Sequence, residues 1–155
     1  MKKNLIFGIF ALFSVLFLTG CGSSEKTINC TNKSDQSSSG YVLDSQYKIY
    51  ASGDVVNKVE TTETIESSNN TILSYFEKTL KEQYQSNNDK YGGYNFDITT
   101  EDGKLVSKVT VDYSKMDLAK FIEDNAAMKS FANEDNKLTV DGVKTMYESL
   151  GAICK

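Results

Sequence analysis

Asp102-Gly103 stands between two stretches whose apolar residues fall on alternate positions, and this constrains the fold more than any other feature of the chain. Asp-Gly favours the type I′ turn, whose two central residues take positive φ and whose twist matches that of paired strands. With a two-residue loop, Thr100 faces Leu105, Ile98 faces Ser107, Phe96 faces Val109 and Tyr94 faces Val111. The apolar sides of the two strands then agree without adjustment. A lone hairpin is marginal in water, so the remaining chain must supply more strands and a cover.

Upstream, Tyr41, Leu43, Tyr47, Ile49 and Ala51 fall on one side of a strand, with Asp44, Gln46 and Lys48 on the other. Ser52-Gly53-Asp54 reads as a turn, and the return strand from Val55 to Glu66 carries Val55, Val59 and Ile65 on one face. A three-residue loop pairs Tyr47 with Val59 and Tyr41 with Ile65; a two-residue loop would turn Lys58 or Glu60 onto the core. Lys26 to Thr31 reads as a short strand with Ile28 and Cys30 on one face, and the Ser-rich stretch Asn32 to Gly40 as a loop. Asn69 to Asn87 has Asn and Ser caps and a stripe of Ile72, Leu73, Phe76, Leu80 and Tyr84 at helical spacing, with Glu77 and Lys81 one turn apart outside. Tyr91-Gly92-Gly93-Tyr94 breaks the chain. Ser114 and Asp117 resemble a capping box for a helix carrying Leu118, Phe121 and Ile122, onto which Tyr113 staples. Met128 and Phe131 belong to a further short turn, and Val143, Met146, Tyr147 and Leu150 to a last helix ended by Gly151. The fold class is α+β: an antiparallel sheet of about five strands with two to three helices packed on one face.

The N-terminus reads as an address. Lys2 and Lys3 precede the apolar run Leu5 to Leu18, which closes on Thr19-Gly20-Cys21. That order is a secretory signal peptide, and the run is shorter than the ~20 residues of a membrane-spanning helix. Leu18-Thr19-Gly20-Cys21 looks like a bacterial lipobox, which predicts residues 1–20 as a lipoprotein signal peptide and Cys21 as the acylated first residue of the mature chain. Each buried methylene contributes about 0.8 kcal/mol, so a palmitate-length pair of chains anchors stably where one does not. Residues 21–26 are then a tether and 27–155 a single globular domain on the outer face of the cytoplasmic membrane. Cys30 and Cys154 remain, an even pair in an exported chain, and we expect them to form a disulfide. The alternatives are a reactive thiol, with no cationic cluster nearby in sequence, or a metal site, for which two thiols are too few.

Without Lys2 and Lys3, 15 of the 17 basic residues face 21 acids, a balance of −6 that argues against nucleic acid as a partner. Histidine is absent and every basic residue is lysine. This removes the usual general base near neutrality, the imidazole metal ligand and the bidentate guanidinium clamp. Ser45-Gln46-Tyr47-Lys48 matches a Ser-x-x-Lys pattern but lies in a strand, where the two residues cannot share a face. Asn133-Glu134-Asp135-Asn136 lacks the spacing of a calcium loop. Glu123-Asp124 reads as the wet side of a helix rather than half of a glycosidase carboxylate pair. Tyr84, Tyr91 and Tyr94 cluster about Gly92-Gly93. They either stack on a sugar or peptide, or finish the rim of a small core with wet hydroxyls. No cofactor and no metal is expected, and no enzymatic activity. The leading function is an envelope binding module for a protein partner, which predicts an exposed apolar patch. A glycan- or lipid-fragment-binding protein is second, with a concave pocket edged by Tyr84, Tyr91 or Tyr94; a carboxylate-based hydrolase is third.

The lipobox at Cys21, the early Cys30, the strand–Gly-Asp–strand unit from Tyr47 to Val59, the hairpin from Tyr94 to Tyr113 and the closing Tyr147-Glu148-Ser149-Leu150-Gly151-Ala152-Ile153-Cys154-Lys155 together resemble the YehR-like small bacterial lipoproteins. The resemblance implies an α+β domain with a sheet packed against helices, an exported lipid-anchored location and no established activity or catalytic residues. In Gram-positive members it implies a disulfide between the early and the terminal cysteine.

Overall fold

The computed structural model describes residues 24–155; the leader and Cys21 lie outside them. One antiparallel sheet of six strands, rather than about five, carries three main helices. The strands are β1 (Glu25–Gln36), β2 (Tyr41–Ser52), β3 (Val55–Glu66), β4 (Tyr94–Glu101), β5 (Lys104–Asp112) and β6 (Ile153–Cys154). Their spatial order is β4-β5-β3-β2-β1-β6. The helices are α1 (Asn70–Tyr91), α2 (Leu118–Asp124) and α3 (Val140–Ser149), and a 3-10 turn at Ala126–Phe131 holds Met128 and Phe131 against the core.

The β4–β5 hairpin has the register expected of Asp102-Gly103, and both turn residues take positive φ, 50° and 76°. The first hairpin does not follow the expected register. Leu43 pairs with Ile65 and Ile49 with Val59, so the loop is the two residues Gly53-Asp54. A bulge opposite Tyr50/Ala51 inserts one extra residue in β3 and restores the parity that so short a loop would otherwise spoil. Val56, not Val55, therefore turns inward, opposite Ala51, and is 2% exposed. β1 is also twice as long as expected. Asn32 to Gln36 pair with Tyr41 to Ser45, and the loop shrinks to Ser37–Ser39 and Gly40. Those polar residues make a poor strand by propensity, but only Cys30 and Thr31 meet β6, so the rest forms a wet edge where polar side chains are tolerated. The strand also takes Glu25 and Lys26 from the expected tether.

α1 begins at Asn69, whose side chain accepts the Thr71 N–H at 2.9 Å, and the Lys81–Glu77 pair closes at 2.6 Å. Leu73, Phe76, Leu80 and Tyr84 pack on Tyr41, Leu43, Ile65, Phe96, Ile98 and Leu105. α2 starts at Asp117, which accepts the Lys120 N–H; Ser114 is no cap, because its N–H and hydroxyl both go to Asp112. Ile122, Leu138, Val143 and Tyr147 form a second cluster over Cys30, Ile49, Ala51, Val56 and Val59. Leu150 leaves the stripe as the last helix ends, and is 62% exposed.

β6 brings Cys154 directly opposite Cys30, and the two form a disulfide. Asn29 and Lys155 exchange backbone hydrogen bonds at 3.0 and 2.8 Å. Cys30 and Cys154 are therefore the neighbouring pair without such bonds, where antiparallel strands approach most closely; their Cα atoms are 4.0 Å apart. Among the described residues, no helix is long and apolar enough to cross a membrane.

Candidate functional site

The two apolar clusters are separate, and the sheet positions between them are polar. The registers place Asn32, Ser45, Glu63 and Ser107 in one row across β1, β2, β3 and β5, ending on Ile98 of β4. Their parity with Ile49, Ile65 and Leu105 puts the row on the helix-covered face. Ser45 and Ser107 are 1% and 0% exposed, and neither hydroxyl oxygen has a hydrogen-bond partner. Glu63 lies directly between them. On β3, in the middle of the sheet and on its covered face, Glu63 and Thr61 nevertheless keep some exposed surface. The cover therefore parts over Glu63 and Thr61, and the Ser45 and Ser107 oxygens lie closed to solvent on either side of this cleft.

Tyrosines wall this cleft. Tyr47 of β2 stacks on Tyr147 of α3 with ring centroids 4.1 Å apart, and Tyr84 of α1 tilts onto Phe96 of β4 at 5.5 Å. The Glu63 charge acts on the hydroxyls of all three tyrosines. The hydroxyls of Tyr47 and Tyr84 come near Ser45 and Ser107 respectively, but without hydrogen-bond geometry, so both serine oxygens stay unpaired. Burial raises the pKa of Glu63 above the ordinary carboxylate value. Burial, and then the Glu63 charge, push Tyr84 up to about 12. Burial also raises Tyr47, Tyr94 and Tyr147, so these phenols are neutral at pH 7.

A buried hydroxyl without a partner costs about 1–3 kcal/mol, and an ionised carboxylate without a counter-ion costs more. Ser107→Ala is therefore expected to leave stability unchanged or raise it by about 1 kcal/mol, measured by urea denaturation. Glu63→Gln separates the charge from the shape. A raised folded-state pKa means that ionisation works against folding, a penalty fully present above that raised pKa and absent once both states are protonated below the ordinary 4.5. The variant should melt above the parent at pH 7, and the two curves should converge in acid.

The three tyrosines singled out from the sequence separate. Tyr84 faces the cleft. Tyr94 is half-buried on β4, where its N–H is accepted by Asn88 Oδ1 at 3.1 Å. Tyr91 is a buried peg: its hydroxyl donates to Asp124 Oδ2 at 3.0 Å and its ring meets Phe121 edge-on at 5.2 Å. Lys90 binds the same Asp124 oxygen at 2.9 Å and, with Tyr91, holds that carboxyl below its usual range. A wide groove of about 970 Å³ between α1 and β4 is lined by Lys81, Gln85, Asp89, Phe96 and Ile98 among others, and by none of the three tyrosines. Several of its polar groups are already engaged, Lys81 with Glu77, Lys90 with Asp124 and Gln85 with Asp89. Among the described residues, the exposed large apolar side chains are Tyr75, Leu150 and Ile153. Ser45 and Lys48 fall on opposite faces of β2, and Asn133 folds its loop on itself by accepting the N–H groups of Asp135 and Lys137. Among the described residues, no three His, Cys, Asp or Glu side chains gather as a metal site.

No family model matches the chain, and no curated protein does. Among solved structures, the chain is similar to a protein from Streptococcus pneumoniae TIGR4 determined by NMR, at 13% identity and a TM-score of 0.51, covering 100% of this chain and 97% of that one. That likeness is one of fold.

Proposed function

We propose that this chain is a lipoprotein held by acyl chains on Cys21 to the outer face of a Gram-positive cytoplasmic membrane, and that its domain is a non-enzymatic binding module. Its site is the cleft over Glu63, and its ligand is small and polar. The observation that carries the ligand reading is the row itself: Ser45 and Ser107 without partners on either side of a carboxylate that no lysine neutralises among the described residues. A carboxylate without a counter-ion and partly open to solvent is what a polar ligand can complete. Hydrolysis of a glycoside would need a second carboxyl, and the groups around Glu63 are hydroxyls. The Cys30–Cys154 bond suits an oxidising compartment, which supports the exported location, as does the resemblance to YehR-like lipoproteins. An envelope protein docking at Leu150 and Ile153 is the second reading, favoured by their exposure of 62% and 67%.

The location is tested by mass spectrometry of protein purified from membranes. Cys21 should be the first residue and carry a diacylglyceryl group, and Cys21→Ser should release the domain from the membrane fraction. An unmodified Cys21 behind an uncut leader would end this reading. Saturable binding of small polar solutes, lost in a folded Glu63→Leu variant but kept in a Leu150→Ser/Ile153→Ser variant, separates the cleft from the surface reading.

A further inference from the structure

We infer that the outer edge of β4 takes up an extended segment of a partner protein as a further antiparallel strand, and that this segment alternates apolar residues with lysines. The inference does not depend on what the cleft over Glu63 binds.

β4 is the end strand of the sheet and pairs with β5 alone. In an antiparallel ladder, directly opposed residues alternate between exchanging backbone hydrogen bonds and exchanging none. The Gly93 carbonyl accepts the Asp112 N–H at 2.8 Å, and at the other end the two-residue loop closes on Glu101 and Lys104. Both ends set the same phase. Asn95, Asp97, Thr99 and Glu101 turn their N–H and C=O groups to β5, while Tyr94, Phe96, Ile98 and Thr100 turn theirs outward. Asn88 Oδ1 accepts the outward Tyr94 N–H. Among the described residues, nothing accepts the N–H of Phe96, Ile98 or Thr100. Natural sheets blunt such an edge with proline, a bulge or an inward charge. β4 has none of these: the chain lacks proline, the register runs without a shift, and the inward residues are uncharged.

The groove of about 970 Å³ between α1 and β4 opens along this edge, over Phe96, Asp97 and Ile98. Its α1 wall runs from Lys81 to Lys90, about 14 Å at the helical rise, which matches about four extended residues. On an added strand, residues opposite Phe96, Ile98 and Thr100 turn to the α1 side and enter the groove, where apolar side chains fit. Residues opposite Asp97 and Glu101 turn to the other face. Those two carboxylates are exposed and join no ion pair among the described residues; Lys104, which faces Glu101 across the hairpin, pairs with Glu66 instead. Lysines four residues apart on the added strand meet both, at the closely spaced positions where cross-strand charges act most strongly. A second copy of β4 matches less well. Centred on Asp97 or Thr99, its two-fold sets Asp97 against Asp97 or against Glu101; centred on Ile98, it leaves both carboxylates opposite the neutral Thr99 and Asn95.

The probe is a capped, fluorescently labelled peptide in which valine alternates with lysine or threonine, its two lysines four residues apart. Titrated into the full-length protein in detergent at low salt, it should give saturable anisotropy. Amide hydrogen exchange read by NMR should then show Phe96, Ile98 and Thr100, fast in the free protein beside Asp97 and Thr99, become protected. Asp97→Asn/Glu101→Gln, shown to be folded by its melting curve, should weaken binding about tenfold or more. Methylating the valine nitrogens of the peptide removes the donors that face β4 and keeps the lysines; this should cost a similar factor, about tenfold. Thr100→Pro removes an outward N–H that β5 does not use, so the hairpin survives while binding weakens. Leu150→Ser/Ile153→Ser should bind like the parent. Undiminished binding of the methylated peptide overturns strand addition in favour of charge alone. Equal binding of a peptide with glutamates for lysines overturns the charge assignment. Protection of the three amides in the protein alone, with a dimer mass in sedimentation, gives the edge to a second copy and overturns the separate partner. Failure of the lysine peptide to bind overturns the inference.

Discussion

Replacing Cys30 and Cys154 together by alanine is expected to lower stability by about 4–5 kcal/mol, and reduction of the parent protein should do nearly the same. The bond spans a sequence separation of 124, so it withholds from the unfolded chain almost all the freedom of the described domain. The loop-entropy model assigns such a ring roughly 5 kcal/mol, near the top of its range. Local geometry adds to this. β6 is two residues long and is held to β1 by few backbone bonds, so without the covalent link it should fray before the rest of the sheet. Cys30 is 0% exposed, which is why alanine rather than serine is the test; serine would add a buried hydroxyl to the same site. Urea denaturation with and without reductant measures the effect, which corresponds to a fall in Tm of roughly 10–20 °C. A loss under about 1 kcal/mol would mean that the domain does not depend on the ring.

Gly142→Ala should be strongly damaging for the addition of a single methyl group. In an ordinary helix interior the substitution gains about 1 kcal/mol. Here an added Cβ would lie 2.4 Å from the Phe131 carbonyl oxygen and 2.7 Å from its Cα, which are backbone atoms rather than a flexible side-chain tip. Phe131 cannot retreat freely, because its carbonyl accepts the Thr139 N–H at 3.0 Å. Thr139 in turn caps α3 by accepting the Gly142 N–H at 3.1 Å. Val143, the next residue, is fully buried, so the helix cannot roll away either. Overpacking of this kind costs about 1–3 kcal/mol net. Thermal melting should show the loss, while Ser86→Ala on the exposed side of α1 serves as the control and should be neutral or slightly stabilising.

What could be read from the sequence was whatever depends on a few adjacent residues. Asp102-Gly103 set one register because its turn needs two positive φ values, and helix stripes carry their own periodicity. The first hairpin misleads because the bulge in β3 leaves no local mark: a short loop plus one extra residue gives the same face pattern as a longer loop. Asn32 to Gln36 are polar on both faces, so nothing but their partner shows that they form a strand. β6 is too short for any period, and only its cysteine pointed to a return to β1. The cleft was hidden for a different reason. Ser45, Glu63 and Ser107 become neighbours through the registers of three strands, and two of those registers could not be read. One signal was present: Ser107 sits at the parity of Leu105 and Val109, and Ser45 at that of Leu43 and Tyr47, so each is a polar residue in an inward place.

The pairing of Cys154 with Cys30 also sets how the domain bears a load. If the chain is pulled at its two ends, the only described segments outside the covalent ring are residues 24–29 and Lys155. About seven residues at roughly 3.4 Å each can extend, some 25 Å, before tension passes from one sulfur to the other and bypasses the sheet. In the parent protein the hairpins, helices and cleft are thus sheltered from end-to-end stretching, whereas the reduced chain would pay out along its whole length.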